Sequence, residues 1–233
     1  MKIDFDEEKH EYSYKGEKIP SVSEILSPLS ADRYEGMNPW MLQAAAVKGR
    51  LVHEYCELID YGLDPDIEPD YMGYVKAYYD FLMTHKPNWQ YIEKIVCSFR
   101  GEAKEKDGIV YAGTLDRYGI IDGKGAVVDI KTYSSLSTDA LISASCQTYL
   151  YRVALVEPLA DLYKGDAYYS PYDTKRYVLH LKKDGKWRLV DLDKFDKERG
   201  FNSSATAGSL LHVWWNIHTA REAKGRKKRD TSD

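Results

Sequence analysis

From Pro39 to Tyr61 the apolar residues Leu42, Ala45, Ala46, Leu51, Val52, Tyr55 and Leu58 recur at intervals of three and four. That is the period of an amphipathic helix. A Gly62 turn and the Asp/Pro-rich loop 63–70 end it. A second helix then places Met72, Val75, Tyr79 and Leu82 along one face. After Pro87 the period shortens, and residues 89–100, 108–121 and 125–132 read as three strands. The last two flank Asp122-Gly123 and Lys124-Gly125, a strong hairpin signal. Helical periodicity returns over 138–156. Strand-like runs at 161–170, 175–182 and 187–192 follow, the last two joined by Asp184-Gly185, and a final helix covers 206–222. Ahead of all these, Tyr12, Tyr14 and Ile19 fall on strand positions around a Lys15-Gly16 turn, which predicts a short hairpin over 3–19. Pro20 ends it, and Ser21 or Ser23 caps a short helix over "VSEILSPL".

A strand–helix–strand crossover beside an antiparallel hairpin predicts an α/β or α+β fold with a mixed sheet. The length of 233 residues fits one domain with an elaborated N-terminal end. The net charge of −4 excludes a general cationic coat but leaves room for a local basic groove. Lys224, Arg226, Lys227, Lys228 and Arg229 concentrate positive charge in a tail, 224–233, read as disordered. The opening MKIDFDEEKH lacks an apolar leader, and no run reaches membrane-spanning length, so a cytoplasmic protein without membrane association is expected. The three cysteines, Cys56, Cys97 and Cys146, are scattered. They predict buried thiols rather than a disulfide framework or a four-cysteine cluster.

The chemistry concentrates in "GTLDRYGIIDGKGAVVDIKT", residues 113–132. Alternation along a strand sends Asp129 and Lys131 to one face. Pairing about the turn at 122–125 brings Asp116 near Lys131 and within a rung or two of Asp129. Two carboxylates and a lysine at a sheet end suit a hard divalent cation and a phosphoryl substrate. Gly113, inside a strand, marks a bulge or a close approach by another backbone, for which nucleic acid is one candidate. Gln147 and Tyr151 share a helix face at i and i+4. The helix 39–61 carries Gly49, Arg50, His53 and Glu54.

This order of residues resembles the PD-(D/E)XK nuclease superfamily, in its RecB-like, phage-exonuclease branch. The matching stretches are "KGRLVHE", "GTLD", "VVDIKT" and "QTYLYRVAL", with "YSYKGEKIPSVSEIL" as the lead-in. Leu115 stands where the superfamily's name has proline. The resemblance implies a restriction-endonuclease-like core in a single nuclease domain over 1–223, with hairpin and helices to 87, catalytic core 88–190 and C-terminal helix 205–223. It implies Asp116, Asp129 and Lys131 as catalytic residues. His53, Asp116, Asp129 and the carbonyl of Ile130 would hold Mg²⁺ or Mn²⁺, with Glu93 a further acidic candidate. Gln147, Tyr151 and Arg50 would contact DNA or support the site. No iron–sulfur cluster and no nucleotide is expected, since neither four cysteines nor a phosphate-binding Gly-x-x-x-x-Gly-Lys loop is present. The implied activity is a deoxyribonuclease, an exonuclease acting on linear ends or single strands, with a recombination protein as a candidate partner. A structure-selective endonuclease and a non-catalytic DNA-binding module are the alternatives.

Overall fold

The computed structural model describes residues 3–7, 9–30, 36–99, 109–156, 158 and 173–230. In chain order these form β1 (Asp4–Asp6), β2 (Glu11–Tyr14), β3 (Glu17–Ile19), α1 (Val22–Leu26), α2 (Pro39–Asp60), α3 (Met72–His85), β4 (Asn88–Phe99), β5 (Ile109–Ile121), β6 (Lys124–Lys131), α4 (Thr138–Ala154), β7 (Lys175–Leu181), β8 (Trp187–Asp191), α5 (Leu192–Arg199) and α6 (Ser203–Asp230).

The hairpin turn fixes the centre of the fold. Asp122 and Gly123 both adopt positive φ, 49° and 78°, as a tight two-residue turn requires. Ile121 therefore pairs with Lys124, and the ladder runs back to Arg117 opposite Val128. β4 joins β5 on one side. On the other, β7 lies parallel to β6 and β8 closes the edge, giving a five-stranded sheet in the order β4-β5-β6-β7-β8. A parallel neighbour demands a crossover, and α4 lies on it. The protein is thus α/β, with helices on both faces of a mixed sheet.

Alternation along β6 sorts its residues. Ala126, Val128 and Ile130 pack with Leu179 and Leu181 beneath Val52, Tyr55 and Cys56 of α2 and Tyr78 and Phe81 of α3. Val127 turns to the other face, where α1, α4 and α6 cover Val96, Tyr111, Leu115 and Tyr118. Each fully buried aliphatic side chain contributes roughly 1.5–3 kcal/mol. That face also fixes the parity of Asp129 and Lys131, which follow Val127 in steps of two.

The N-terminal hairpin is present as β2 and β3 and gains a third strand, β1, in a separate small sheet. Tyr12 and Ile19 seat this sheet on Ala112, Ile95 and Cys97. Ser21 caps α1 with a full capping box: its hydroxyl accepts from Glu24 N, and the Glu24 carboxylate accepts from Ser21 N. The thiols of Cys56 and Cys146 are buried, and Cys97 is half-buried. Among the described residues no helix is long and apolar enough to cross a membrane.

Two expectations are corrected. A helix, α5, follows β8 directly. Asp191 caps it by accepting from Lys194 N at 2.9 Å, and Gly200 ends it with a left-handed φ of 61°. The last helix begins at Ser203 and continues to Asp230, so residues 224–230 extend a helix instead of forming a disordered tail. Adding a turn to an existing helix avoids the nucleation cost, and this stretch is rich in good helix formers. The strand expected at 161–170 and the tail end at 231–233 lie outside the described residues.

Gly113 has a different neighbour from the one anticipated. A Cβ there would stand 2.8 Å from Cε1 of Tyr151 and 3.1 Å from Cγ2 of Val22. The close approach is made by the protein's own α4 and α1, not by nucleic acid. Gly113→Ala should therefore destabilise the protein by ~1–3 kcal/mol through overpacking. Combined with Tyr151→Leu, it should cost less than the two single losses together. Denaturant unfolding of the three variants checks this, and strict additivity would refute the contact.

Candidate metal centre

The site begins with a rung missing from the sheet. Between Ile92↔Arg117 and Lys94↔Leu115 the β4–β5 ladder skips the pair Glu93 and Asp116. Glu93 has a left-handed φ of 42°. Such a conformation costs a non-glycine residue of order 1–3 kcal/mol and persists only where its surroundings enforce it. Alternation fails at the same place. Leu115 and Tyr118, three residues apart, both pack in the core beneath α1 and α4, whereas Arg117 between them turns to Asp60 at the end of α2.

The β5–β6 ladder stops at Arg117↔Val128. One rung further, Asp116 falls opposite Asp129. The sequence-based pairing set Asp116 nearer Lys131; the two-residue turn draws the register closer by two. At that rung the Oδ2 of Asp116 accepts the N–H of Ile130 at 2.6 Å, so a side chain takes a backbone donor of β6. Glu93, Asp116 and Asp129 thus occupy one level of three adjacent strands.

α2 lies over this level. Lys48 Nζ donates to the carbonyl of Thr132 at 3.0 Å. At Gly49 an added Cβ would meet only Thr132 Oγ1, at 3.9 Å, so this face of the helix is open. His53, one turn on, places Nε2 3.0 Å from the carbonyl oxygen of Ile130. A carbonyl only accepts, so Nε2 carries the proton. Nδ1 then faces Glu93 Oε1 at 3.6 Å and Asp116 Oδ2 at 3.8 Å. A neutral imidazole would point a lone pair at two carboxylates, which is repulsive unless a proton or a cation comes between.

One ligand atom from each of His53, Glu93 and Asp116 lies within 4.8 Å of the other two, a set that could hold a metal ion. Glu93 therefore sits inside the cluster. Asp129 lies beside it: Oδ1 accepts from Lys131 Nζ at 2.8 Å, while Oδ2 is buried with no hydrogen-bond partner among the described residues. An orphaned buried carboxylate oxygen is costly and fits a cation that would share it. One imidazole and two or three carboxylates suit Mg²⁺ or, with the softer nitrogen, Mn²⁺. The Ile130 carbonyl, the other expected ligand, has one lone pair engaged by His53.

Charge and burial compete throughout. Burial, with the nearby charge of Asp116, pushes the Asp129 carboxyl up to about 6 against the pull of Lys131. Burial alone would lower His53, but Asp116 and Glu93 outweigh it and raise the imidazole. Burial would raise Glu93, yet His53 and Arg117 hold it below its ordinary value. Lys131 is raised, because Asp129 outweighs the burial that would lower it.

Gln147 and Tyr151 stand behind Lys131. Nζ of Lys131 donates to Gln147 Oε1 at 3.3 Å, and Gln147 Nε2 reaches the Tyr151 hydroxyl at 3.5 Å. Tyr151 is buried, so it supports the lysine and offers little surface to a ligand. A groove lined by Ser23, Ser30, Tyr133 and Ser143 opens onto Lys131 and Gln147. Arg50 is exposed on α2. Sequence reasoning missed Arg117 and Asp60. Arg117 is fully buried and binds Asp60, Glu93 and the Asp116 carbonyl. The available signal was an arginine directly after Asp116 in an otherwise apolar strand.

No known family profile matches the chain. No curated protein matches it either. Among solved structures, a crystal structure of SSO0001 aligns with a TM-score of 0.39 and 12% identity, over 86% of this chain and 79% of that one.

The shifts set a pH dependence. The Asp129 value is raised on folding, so its contribution to stability is full below about 4 and is lost as pH rises through about 6. His53 is also raised; its contribution is full below about 6.5 and is lost as pH passes its folded value. In EDTA the melting temperature should therefore fall from mildly acid to alkaline pH, and Mn²⁺ should restore it by binding the folded state. Asp129→Asn should stabilise the metal-free protein by ~1–3 kcal/mol at pH 8 and by nothing near pH 4, while weakening Mn²⁺ binding. Thermal melts across pH with Mn²⁺ calorimetry check both; a pH-independent difference would remove the buried carboxylate from the explanation.

Proposed function

We propose that the chain is a metal-dependent deoxyribonuclease of the PD-(D/E)XK type, with a restriction-endonuclease-like core, acting as an exonuclease on linear DNA. The observation that carries this reading is Lys131. Its ammonium is bound to Asp129 on the strand end, and Asp129 shares a level with Glu93 and Asp116, which cluster with His53. The antiparallel β4–β5–β6 meander, the α4 crossover and parallel β7 support the same assignment of core.

His53, Glu93 and Asp116 would hold Mg²⁺ or Mn²⁺, with Asp129 Oδ2 turned to the same ion. A bound divalent cation polarises the phosphoryl oxygen and makes water more acidic. Lys131 contributes charge and donors, not a base. Its value is raised, so it remains protonated at neutral pH and can hold the attacking water or meet charge developing on a phosphoryl oxygen. Gln147 and Tyr151 keep the ammonium aimed. The groove that opens beside Lys131, with its hydroxyl lining, gives a phosphodiester strand a path to the site. Arg50, exposed on α2, would contact phosphate, and a recombination protein is a fitting partner for such an enzyme.

End-labelled linear DNA and closed circular DNA, each with Mg²⁺, Mn²⁺ or EDTA, test the proposal. Linear DNA should be degraded from its ends, the circle spared and EDTA inhibitory; a cut circle would replace exonuclease with endonuclease. Asp129→Ala should lose both cleavage and tight Mn²⁺ binding. Lys131→Ala should lose about 10²–10³-fold in rate, the scale for removing one transition-state donor, while keeping Mn²⁺ binding. Wild-type cutting by both variants would sink the assignment.

A further inference from the structure

We infer that Arg117 is a positioning residue of the metal centre: it holds the Glu93 carboxylate toward His53 and Asp116, with Asp60 as its fixed anchor. The inference rests on reading the cluster as a metal site and does not require the nuclease chemistry.

Arg117 is 0% exposed, so its charge must be matched inside the protein. It is matched twice, by acids of different kinds. Asp60 is saturated. Its Oδ2 accepts from Arg117 Nε and from the Tyr78 hydroxyl, each at 2.6 Å, and its Oδ1 accepts from Trp89 Nε1 at 3.1 Å. Those donors come from β5, α3 and β4, so Asp60 has little freedom to move. Glu93 is the opposite case: its side chain is 23% exposed, and the Oε1 bound by Arg117 is the oxygen that faces Nδ1 of His53. A single counter-ion for the guanidinium would be served by Asp60 alone. The second arm of the fork reaches outward instead, from the fixed acid to the one in the cluster.

The same nitrogen mends the skipped rung. Arg117 Nη1 donates to Glu93 Oε1 at 2.8 Å and to the carbonyl of Asp116 at 2.7 Å. Those two residues share the rung that the β4–β5 ladder leaves out, and a buried carbonyl left without its ladder partner needs another donor. One nitrogen thus ties the Glu93 side chain to the Asp116 backbone and fixes the spacing of two prospective ligands. It also opposes relaxation of the left-handed Glu93 backbone, which would swing the carboxylate away. Only a planar fork can hold both arms in fixed directions; a lysine ammonium can satisfy one acid without fixing the other.

The test is Mn²⁺ calorimetry on the full chain for wild type, Arg117→Lys, Glu93→Gln and the double variant, with melting temperatures in EDTA. Loss of an outer partner of a ligand weakens metal binding about 10- to 100-fold, and Arg117→Lys should lie in that range. In the Glu93→Gln background the same change should have no further effect on affinity, although it still lowers the melting temperature. A structural role would move stability alone or would add to the Glu93→Gln loss, and either result overturns the inference. If Arg117→Lys does not fold, Asp60→Asn tests the same coupling with Arg117 in place: it should weaken Mn²⁺ binding only when Glu93 is present, and equal loss in both backgrounds overturns the inference. Wild type that fails to bind Mn²⁺ overturns the metal-centre reading and this inference with it. Wild type that binds Mn²⁺ and shows the coupling without cutting DNA upholds Arg117 and overturns the nuclease reading.

Discussion

Three carboxylates at one level of a sheet repel one another, and the centre of this protein is arranged around that repulsion. Two unit charges 4 Å apart interact by about 4 kcal/mol at an effective dielectric constant of 20. Each acid has a counter-group of its own. Glu93 has Arg117, Asp129 has Lys131, and Asp116 has the Ile130 amide with the His53 ring nearby. The counter-groups come from opposite sides of the sheet, because Arg117 faces α2 and α3 while Lys131 faces α4. A single-layered sheet could not supply both. The burial that raises Asp129 is therefore tied to the packing of helices on both faces, and the charged site and the apolar core are aspects of one arrangement.

The broken rung follows from the same constraint. In a regular ladder Asp116 and Glu93 would alternate to fixed faces, and their backbone groups would bond across the strands. Here Asp116 Oδ2 takes the Ile130 amide, Arg117 takes the Asp116 carbonyl, and Glu93 adopts a left-handed φ. Three backbone irregularities in three strands coincide with the three acids. The irregularity has a local remedy at each point, and the β4–β5 pairing resumes in the same register on the far side of the rung.

The elements were legible in the sequence where period and punctuation agreed. The hairpin at Asp122-Gly123, the capped helix at Ser21 and the α4 crossover follow from turn chemistry and spacing. α5 escaped because it is short and mostly charged; its Asp191 cap, the Leu192 and Phe195 spacing and the Gly200 stop were its marks. The site was legible in part. Asp116, Asp129, Lys131 and His53 converge as their order implied, and Gln147 and Tyr151 stand behind the lysine. Register was not legible to within two residues, so the opposition of Asp116 and Asp129 emerged only in three dimensions. Glu93 was legible only as a further acidic candidate, because its place in the cluster depends on a backbone irregularity, and Arg117 was hidden because its partners lie 57 and 24 residues away.

The skipped rung also has a mechanical meaning. Beyond it, residues 109–115 of β5 pair with β4 and carry the small N-terminal sheet through Ala112 and Thr114, but they have no ladder to β6. The sheet is thus bonded on two sides up to the level of Glu93 and Asp116 and on one side beyond it, where the core under α1 and α4 carries the continuity instead. An ion held by His53 from α2, Glu93 from β4 and Asp116 from β5 would join three elements at the line where that change occurs.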